Sequence, residues 1–444
     1  MPKVLAWSSK AEENPVGAEY IIMEKVKGVQ LSLVWRTLPF DKKAEIIKTL
    51  ARYQSIWMSN TLKQYGSLYY AQDIPKRQDQ PVFSYLSKDG SEIEDDRFAI
   101  GPTVHRQSID YGRAQVDFDE VLVGRCHFLV QIRWLTLHTG DSAEDHCIAI
   151  GNREIACVKA VQPLPKPPLT MVGRYIPTRA KKLAALESYM KIVKFLLPTD
   201  PSVTASHVWH SDLHVENIFV NPDNPTEILG IIDWQSIALV PLFENASQPG
   251  LLDYDGPPLN GLERPEEPKD LDQLDPVQRA AAFNKYMDMT LASFYQNLVY
   301  YTNKPLFRAI QFRETINYSL LGSARTILID GEAVYQERVS DELAQAWNTL
   351  PRVQDLNHPP YQFHFSKEEL DIIRKDCEDM CDGIMCMGQM QQEMGDLFPS
   401  DRCISHERYD DAKRTLTAYK DKILKEFARD EKERAAVRAW WPYD

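Results

Sequence analysis

The chain lacks a long apolar run, a basic charge balance and a regular set of cysteines. Among its 444 residues, no apolar run reaches the roughly 18 residues that a membrane-spanning helix needs. The longest candidate, residues 128–137, is short and contains Arg133. We therefore expect no transmembrane segment.

The charge balance and the cysteine count argue against two further classes of protein. The formal net charge is −13, and a protein that neutralises nucleic-acid phosphates needs a basic surface, so we expect no nucleic-acid partner. The seven cysteines are odd in number and unevenly spaced, which favours reduced thiols over a disulfide framework.

The opening Met-Pro-Lys-Val-Leu-Ala-Trp resembles neither a secretory signal nor an Arg-rich presequence, so no targeting peptide is visible.

The residues that are present have the composition and spacing of a folded globular chain. With 43% hydrophobic and 26% charged residues, a chain of this length buries a large core and forms one bilobal or two-domain unit. Apolar spacing predicts a strand over 19–26 and helices over 42–58 and 179–197. Proline, glycine and acidic residues dominate 241–276, which predicts an irregular surface segment, and helical spacing dominates 277–438.

The most informative segment is His-Ser-Asp-Leu-His-Val-Glu-Asn at residues 210–217. Two short apolar strands are predicted after it, over 217–221 and 228–233, joined by a connection rich in turn-forming residues. The second predicted strand ends at Asp233. A lone His-x-Asp is common by chance, but His-x-Asp-Leu-x-x-x-Asn followed by two strands and an Asp matches a kinase catalytic loop and metal-binding turn in types and spacing.

The chemistry of phosphoryl transfer assigns a role to each polar residue of this segment. Asp212 would accept the proton of the attacking hydroxyl group. Asn217 and Asp233 would supply the hard oxygen ligands of Mg²⁺ beside the phosphates of ATP. His210 would brace the loop, although a histidine next to a tryptophan is also typical of a packed core. His214 would either brace Asp212 or line the substrate pocket.

These residues carry a resemblance to a known superfamily. The 210–219 segment and Ile-Ile-Asp-Trp-Gln at 231–235 resemble the aminoglycoside phosphotransferase and choline kinase-like group of protein-kinase-like folds, in which Asp-Trp replaces Asp-Phe-Gly. Further stretches resemble the fungal family called altered inheritance of mitochondria protein 9. They lie at residues 98–102, 234–243 and 252–257. The resemblance covers most of the chain, from Pro2 to about Leu424.

The resemblance implies an α+β, protein-kinase-like bilobal fold with a truncated β small lobe and a large, mainly helical C-terminal lobe. Residues 1–28 would be the remnant of the small lobe and the hinge, and residues 29–444 the large lobe. The catalytic loop would span 207–235, followed by the Pro/acid-rich segment at 241–276 and the C-terminal helices at 277–438. The resemblance also implies a mitochondrial location, with a cytoplasmic one as the alternative.

Within the resemblance, residues 20–28 are similar to the last small-lobe strand and the hinge. The backbone of Glu24 and Val26 would then face adenine, and Met23 would line the pocket; the alternative is an ordinary buried strand. Three further residues are candidates for bracing the site or contacting the substrate, as is His214. They are Trp234, Gln235 and Asp253.

Two departures from the family pattern limit these expectations. No glycine-rich loop or phosphate-binding lysine precedes the hinge, and Lys3 lies too close to it, so we expect either a truncated gene model of an enzyme or a lobe-deficient pseudoenzyme. Residues 121–140 are apolar and foreign to the family, which suggests an insertion or a translated intron. The sequence thus predicts a Mg²⁺- and ATP-dependent phosphotransferase acting on an unidentified small molecule, or a non-catalytic kinase-shaped binding protein.

Overall fold

The fold combines α-helices with small antiparallel sheets and divides into two compact units. Unit 1 comprises Met1–Ile100 and Asp200–Arg313, and unit 2 comprises Gly101–Thr199 and Glu314–Asp444. The computed structural model describes residues 1–74, 82–116, 142–168, 174–259, 261–269, 271–398, 404–426 and 428–443. Residues 121–140, where an insertion is predicted, lie outside the described residues.

The strands are short, and their bounds follow in chain order. They are β1 (Val4–Ser8), β2 (Tyr20–Met23), β3 (Val29–Gln30), β4 (Thr61–Leu62), β5 (Ser67–Tyr70), β6 (Ser84–Leu86), β7 (Glu92–Glu94), β8 (Phe98–Gly101), β9 (Ile218–Asn221) and β10 (Asn224–Ile231). All pairs with a determined register are antiparallel. The sheets are β1-β2, β10-β9-β3, β4-β6-β7 and β5-β8.

The helices range from single turns to more than seven turns. They are α1 (Ser32–Trp35), α2 (Phe40–Trp57), α3 (Arg106–Ile109), α4 (Ala143–Ala160), α5 (Arg179–Leu196), α6 (Pro201–Thr204), α7 (Leu242–Asn245), α8 (Pro276–Thr302), α9 (Lys304–Phe312), α10 (Ile316–Ser323), α11 (Glu332–Arg338), α12 (Ala344–Ala346), α13 (Pro351–Asp355), α14 (Lys367–Met394), α15 (Tyr409–Glu426) and α16 (Glu431–Trp440). No helix in the described ranges is long and apolar enough to cross a bilayer.

Side-chain caps explain where several of the long helices begin. The Ser142 and Thr178 hydroxyls accept hydrogen bonds from the third backbone N–H of α4 and α5. Asp275 caps α8 in the same way, with proline as the first helical residue. Ser366 and Glu369 form a reciprocal capping box at α14. Local chemistry therefore determines these N-termini.

The helices predicted over 42–58 and 179–197 are confirmed as α2 and α5. The segment predicted to be irregular, 241–276, contains short helical turns among its described residues. The predicted helices over 277–438 are confirmed as the long helices α8, α14 and α15, whereas the chain between α9 and α14 forms several short helices. One break between these short helices is at Gly331, which has a left-handed backbone conformation immediately before α11.

Two strand predictions need correction at their ends. The strand predicted over 19–26 is confined to Tyr20–Met23. The strand predicted over 228–233 runs from Asn224 to Ile231, through part of the predicted connection, because Asn224 pairs with Asn221 across a tight turn. It ends before Asp233, whose φ of +63° is incompatible with extended strand geometry. The last carboxylate of the motif therefore follows the strand instead of belonging to it.

Candidate active site

The three-stranded sheet of unit 1 positions the 210–233 motif. The central strand β9 alternates, with Ile218 and Val220 completely buried. They join an apolar cluster that reaches helix α2 and the loop before β9. Its buried members are Leu31, Ile46, Leu50, Leu213, Ile218, Val220 and Ile231. Because Leu213 belongs to this core, the loop carrying Asp212 is anchored from inside.

The start of the loop is anchored by a buried histidine. The ring of His207 bonds through Nδ1 to the carbonyl oxygen of Asn60 at 2.9 Å. Burial lowers the pKa of His207, despite this hydrogen bond. The ring is therefore neutral at pH 7, and the loop is held without a buried charge.

His210 joins the loop to the end of β10. Its ring is buried, and Nε2 donates to the carbonyl oxygen of Ile232 at 2.8 Å. Nδ1 is buried and forms no hydrogen bond with the described residues, so the Nε2–H tautomer is the one that satisfies the carbonyl. Trp57 and Trp234 pack on the ring, with centroids at 6.3 and 4.8 Å. His210 thus makes the kind of contact predicted for a bracing residue.

Asn217 connects Asp212 to the residue that precedes Asp233. Its Nδ2 donates to the backbone oxygen of Asp212 at 2.9 Å and to Oδ2 of Asp212 at 3.3 Å. The backbone carbonyl oxygen of Asn217 accepts a hydrogen bond from the N–H of Ile232 at 2.9 Å. Asp233 follows Ile232 directly, so its backbone lies next to that of Asn217, whose side chain holds Asp212.

The backbone of Asp233 has an uncommon conformation. Its φ of +63° lies in the left-handed region, which costs a non-glycine residue on the order of 1 kcal/mol. The carboxylate is exposed. A left-handed residue just after β10 turns the chain and ends the strand before Asp233.

His214 lies against Asp212. Its Nε2 is 3.2 Å from Oδ2 of Asp212, and its Nδ1 is 2.9 Å from Oε2 of Glu216. Nε2 is also 3.0 Å from Nδ2 of Asn217. Of the two alternatives predicted for His214, the bracing of Asp212 is the one that these contacts support. The sequence did not single out Glu216, the second carboxylate that flanks this ring.

The three remaining candidates have different surroundings. Trp234 is half-buried, and its indole N–H donates to the backbone oxygen of Ile231 at 2.9 Å, so it packs the loop in place. Gln235 is exposed, and no hydrogen bond joins its side chain to the described residues. Asp253 is exposed and lies near the loop, because Gly250, within one turn of it, donates its N–H to the carbonyl oxygen of Leu213.

The predicted hinge lies beside the same sheet. The N–H of Glu24 donates to the carbonyl oxygen of Lys3 at 2.9 Å, extending the β1-β2 ladder by one pair. Within the described chain, neither the carbonyl oxygen of Glu24 nor the N–H of Val26 forms a hydrogen bond. Met23 is 43% exposed. The stretch is therefore not the ordinary buried strand of the alternative, and it offers one backbone acceptor and one donor two residues apart.

Two glycines allow the hinge to approach the sheet. A Cβ on Gly28 would lie 2.2 Å from the carbonyl oxygen of Val220, and Gly28 has a φ of +87°. A Cβ on Gly230 would lie 2.8 Å from a methyl group of Val26. Approaches as close as these are open only to a residue without a Cβ atom. The predicted hinge and the β9–β10 hairpin thus pack against each other within unit 1.

This contact predicts a large stability loss for Gly28→Ala. The left-handed backbone and the collision with Val220 together cost about 2–4 kcal/mol, which urea unfolding can measure. Gly17→Ala is the matched control, because Gly17 has a φ of +70° and nothing within 4 Å of an added Cβ. It should lose only about 1 kcal/mol. Equal losses in the two variants would contradict the close hinge contact.

Sequence reasoning missed the aromatic enclosure of His210. Trp57 packs on His210, Trp209 and Trp234, with ring centroids between 5.3 and 6.3 Å. Trp57 is apparent from the sequence only as an apolar position on a helix. No local signal connects it to a loop about 150 residues away, since the contact depends on how α2 packs against the sheet.

Comparisons with known proteins give distant relatives from fungi. The chain is 28% identical over 290 residues to a subtelomeric hrmA-associated cluster protein of Aspergillus fumigatus, covering 62% of this chain and 53% of that protein. It is 26% identical over 295 residues to altered inheritance of mitochondria protein 9, mitochondrial, of Lachancea thermotolerans, covering 63% and 45%. No family model matches the chain, and no solved structure matches it.

A longer alignment links the chain to baker's yeast. The protein of the same description from Saccharomyces cerevisiae is 21% identical over 436 residues, which covers 92% of this chain and 66% of the yeast protein. The chain spans about half the length of the Aspergillus relatives it matches. The yeast relatives are described as mitochondrial, which supports the mitochondrial location expected for this chain. The chain is therefore similar to the altered inheritance of mitochondria protein 9 proteins of fungi, and these relatives support the narrower of its two resemblances.

Proposed function

We propose that this protein is a Mg²⁺- and ATP-dependent phosphotransferase of the aminoglycoside phosphotransferase and choline kinase-like type. It would transfer the γ-phosphate to a hydroxyl group of a small molecule, on a kinase-like bilobal fold. The observation that carries the proposal is the convergence of Asp212, Asn217 and Asp233 through the amide of Asn217 and the backbone pair of Asn217 with Ile232.

The geometry of Asp212 suits a base that orients a hydroxyl nucleophile. Its side chain is 61% exposed, so an acceptor molecule can reach it. One oxygen is held by Asn217 and His214 at 3.3 and 3.2 Å. Contacts on one oxygen limit the rotation of the carboxylate and leave the other oxygen to accept a proton from the substrate.

The donor set at Asn217 and Asp233 fits a magnesium ion that is also held by phosphates. The Nδ2 of Asn217 is committed to Asp212, so the amide oxygen faces away from that bond and can act as a ligand. Asp233 adds an exposed carboxylate. Among the described residues, no group of three His, Cys, Asp or Glu could hold a metal alone. One or two protein ligands plus phosphates is the usual arrangement for Mg²⁺, which would neutralise phosphate charge here.

The hinge supports the nucleotide part of the proposal. The edge of adenine carries an amino donor next to a ring nitrogen acceptor. The carbonyl oxygen of Glu24 and the N–H of Val26 would match these two groups, and both lack hydrogen bonds in the described structure. Met23 would contact the ring. The same unit therefore contains groups for both ends of ATP.

A second candidate function is a kinase-shaped binding protein without catalysis. The observation that favours it is the exposed hinge hairpin, where Ile21, Ile22 and Met23 are 62%, 52% and 43% exposed. Among the described residues of unit 1, β1 is the strand that pairs with β2. Among the described residues, the phosphates would be held from the Asn217 and Asp233 side. A mitochondrial location belongs to the proposal in either case.

Thermal unfolding with nucleotide tests the proposal. Mg²⁺-ATP at about 100 times its dissociation constant should stabilise the protein by roughly 2.7 kcal/mol, and ATP with EDTA should stabilise it much less. Asp233→Asn should lose the Mg²⁺-dependent part, because an amide binds Mg²⁺ more weakly than a carboxylate. Asp223→Asn, in the exposed turn of the same hairpin, is the matched control and should respond like the wild type. Equal stabilisation with and without Mg²⁺ would refute the metal site.

A further inference from the structure

Unit 2 contains a buried ionic cluster that is remote in sequence from the motif. Arg113, Arg153 and Glu154 are 1%, 2% and 0% exposed. The carboxylate of Glu154 accepts from Nε and Nη2 of Arg113 at 3.0 and 2.8 Å, and from Nε of Arg153 at 3.0 Å. Two guanidinium groups therefore share one carboxylate, and these three residues carry a net charge of +1 away from water.

One nitrogen atom of this cluster has no partner among the described residues. Nη1 of Arg153 donates to the hydroxyl of Ser108 at 2.9 Å, but Nη2 of Arg153 is buried and forms no hydrogen bond in that part of the chain. Burial lowers the pKa of Arg153, and Arg325 and Arg113 repel its charge. Two guanidinium charges that share one buried carboxylate, and a buried donor without an acceptor, are both destabilising.

We propose that a small monovalent inorganic anion binds at Nη2 of Arg153. A water molecule would satisfy the donor but would leave the excess charge, whereas an anion balances both. The hydroxyl of Ser108 accepts from Arg153, so its own hydrogen is free to turn toward the same anion. The guanidinium group is weakly hydrated, which favours a halide over a strongly hydrated ion.

The first test compares salts at equal ionic strength. Chloride and bromide should raise the melting temperature saturably, by about 1–3 °C at ten times the dissociation constant, relative to gluconate, which is too large for a buried site. Arg153→Gln should lose this dependence, because Arg113 and Glu154 then remain as a neutral pair. Arg106→Gln removes an exposed arginine of the same unit and should keep it. A wild-type response equal in halide and gluconate would overturn the proposal.

The second test locates the ion and does not depend on the folding of any variant. Wild-type crystals grown in sodium bromide should give an anomalous peak at the bromine absorption edge, within about 3.5 Å of Nη2 of Arg153. A water molecule at that position, with no anomalous signal, would contradict the proposal. Neither test uses nucleotide, so the outcome is independent of the proposed phosphotransferase activity.

Discussion

Asp212→Asn should lower the turnover of Mg²⁺-ATP by about 10²- to 10⁴-fold while leaving nucleotide binding unchanged. General base catalysis contributes rate factors of this size, equivalent to about 3–5 kcal/mol of activation free energy. The change is isosteric, and the asparagine oxygen can still accept the weak 3.3 Å hydrogen bond from Asn217. The loop geometry is therefore retained, and what is lost is the ability to accept a proton.

The measurement is ADP production in the presence of a panel of small hydroxyl compounds, with thermal unfolding in Mg²⁺-ATP run in parallel. Asp223→Asn serves again as the control, because it removes one acid from the exposed hairpin turn and should keep full turnover. Unchanged turnover in Asp212→Asn would exclude Asp212 as the base. A wild-type protein that binds Mg²⁺-ATP but produces no ADP with any acceptor would favour the non-catalytic alternative.

Lys182→Met should destabilise unit 2 by about 3–5 kcal/mol, because it leaves a buried carboxylate without its counter-ion. Lys182 is 0% exposed, and its Nζ lies 2.9 Å from Oε2 of Glu332 and 2.8 Å from the carbonyl oxygen of Ile327. The hydroxyl of Tyr175 donates to the other Glu332 oxygen at 2.8 Å. Burial and the Glu332 charge raise the pKa of Tyr175 well above its ordinary value, so it stays a neutral donor.

The adjacent lysine provides the control for this prediction. Lys181→Met breaks an ion pair with Asp376 whose side chains are 38% and 25% exposed, so the loss should be below about 1 kcal/mol. Adding Glu332→Gln to Lys182→Met should recover part of the lost stability, because no unpaired charge then remains buried. Urea denaturation of the three variants measures these differences. Equal losses for Lys181→Met and Lys182→Met would show that burial does not set the strength of this pair.

The parts of the fold that were predictable are those determined by near neighbours in the chain. Helices α2 and α5 follow from apolar spacing and nearby end signals, such as the Thr178 cap of α5. The β9–β10 hairpin follows from two short apolar runs around a turn. The end of β10 was not predictable, because Ile231, where the strand ends, and Asp233 belong to the same run of apolar residues followed by an acid. The hydrogen bonds of Ile232 with His210 and Asn217, from the preceding loop, set the turn there.

For this protein, the sequence by itself determined the chemical identity and spacing of the phosphotransfer candidates, because Asp212, Asn217 and Asp233 lie within 22 residues on one loop and hairpin. Tertiary structure alone decided the surroundings of these groups. It packs Trp57 on His210, turns His214 toward Asp212 and brings Gly28 against Val220. Two of these contacts join segments more than 150 residues apart. All three depend on how side chains or backbone segments pack against each other, which the secondary-structure propensity of a segment does not determine. The physical reason is that spacing along the chain limits which groups can meet, whereas packing selects which of them do.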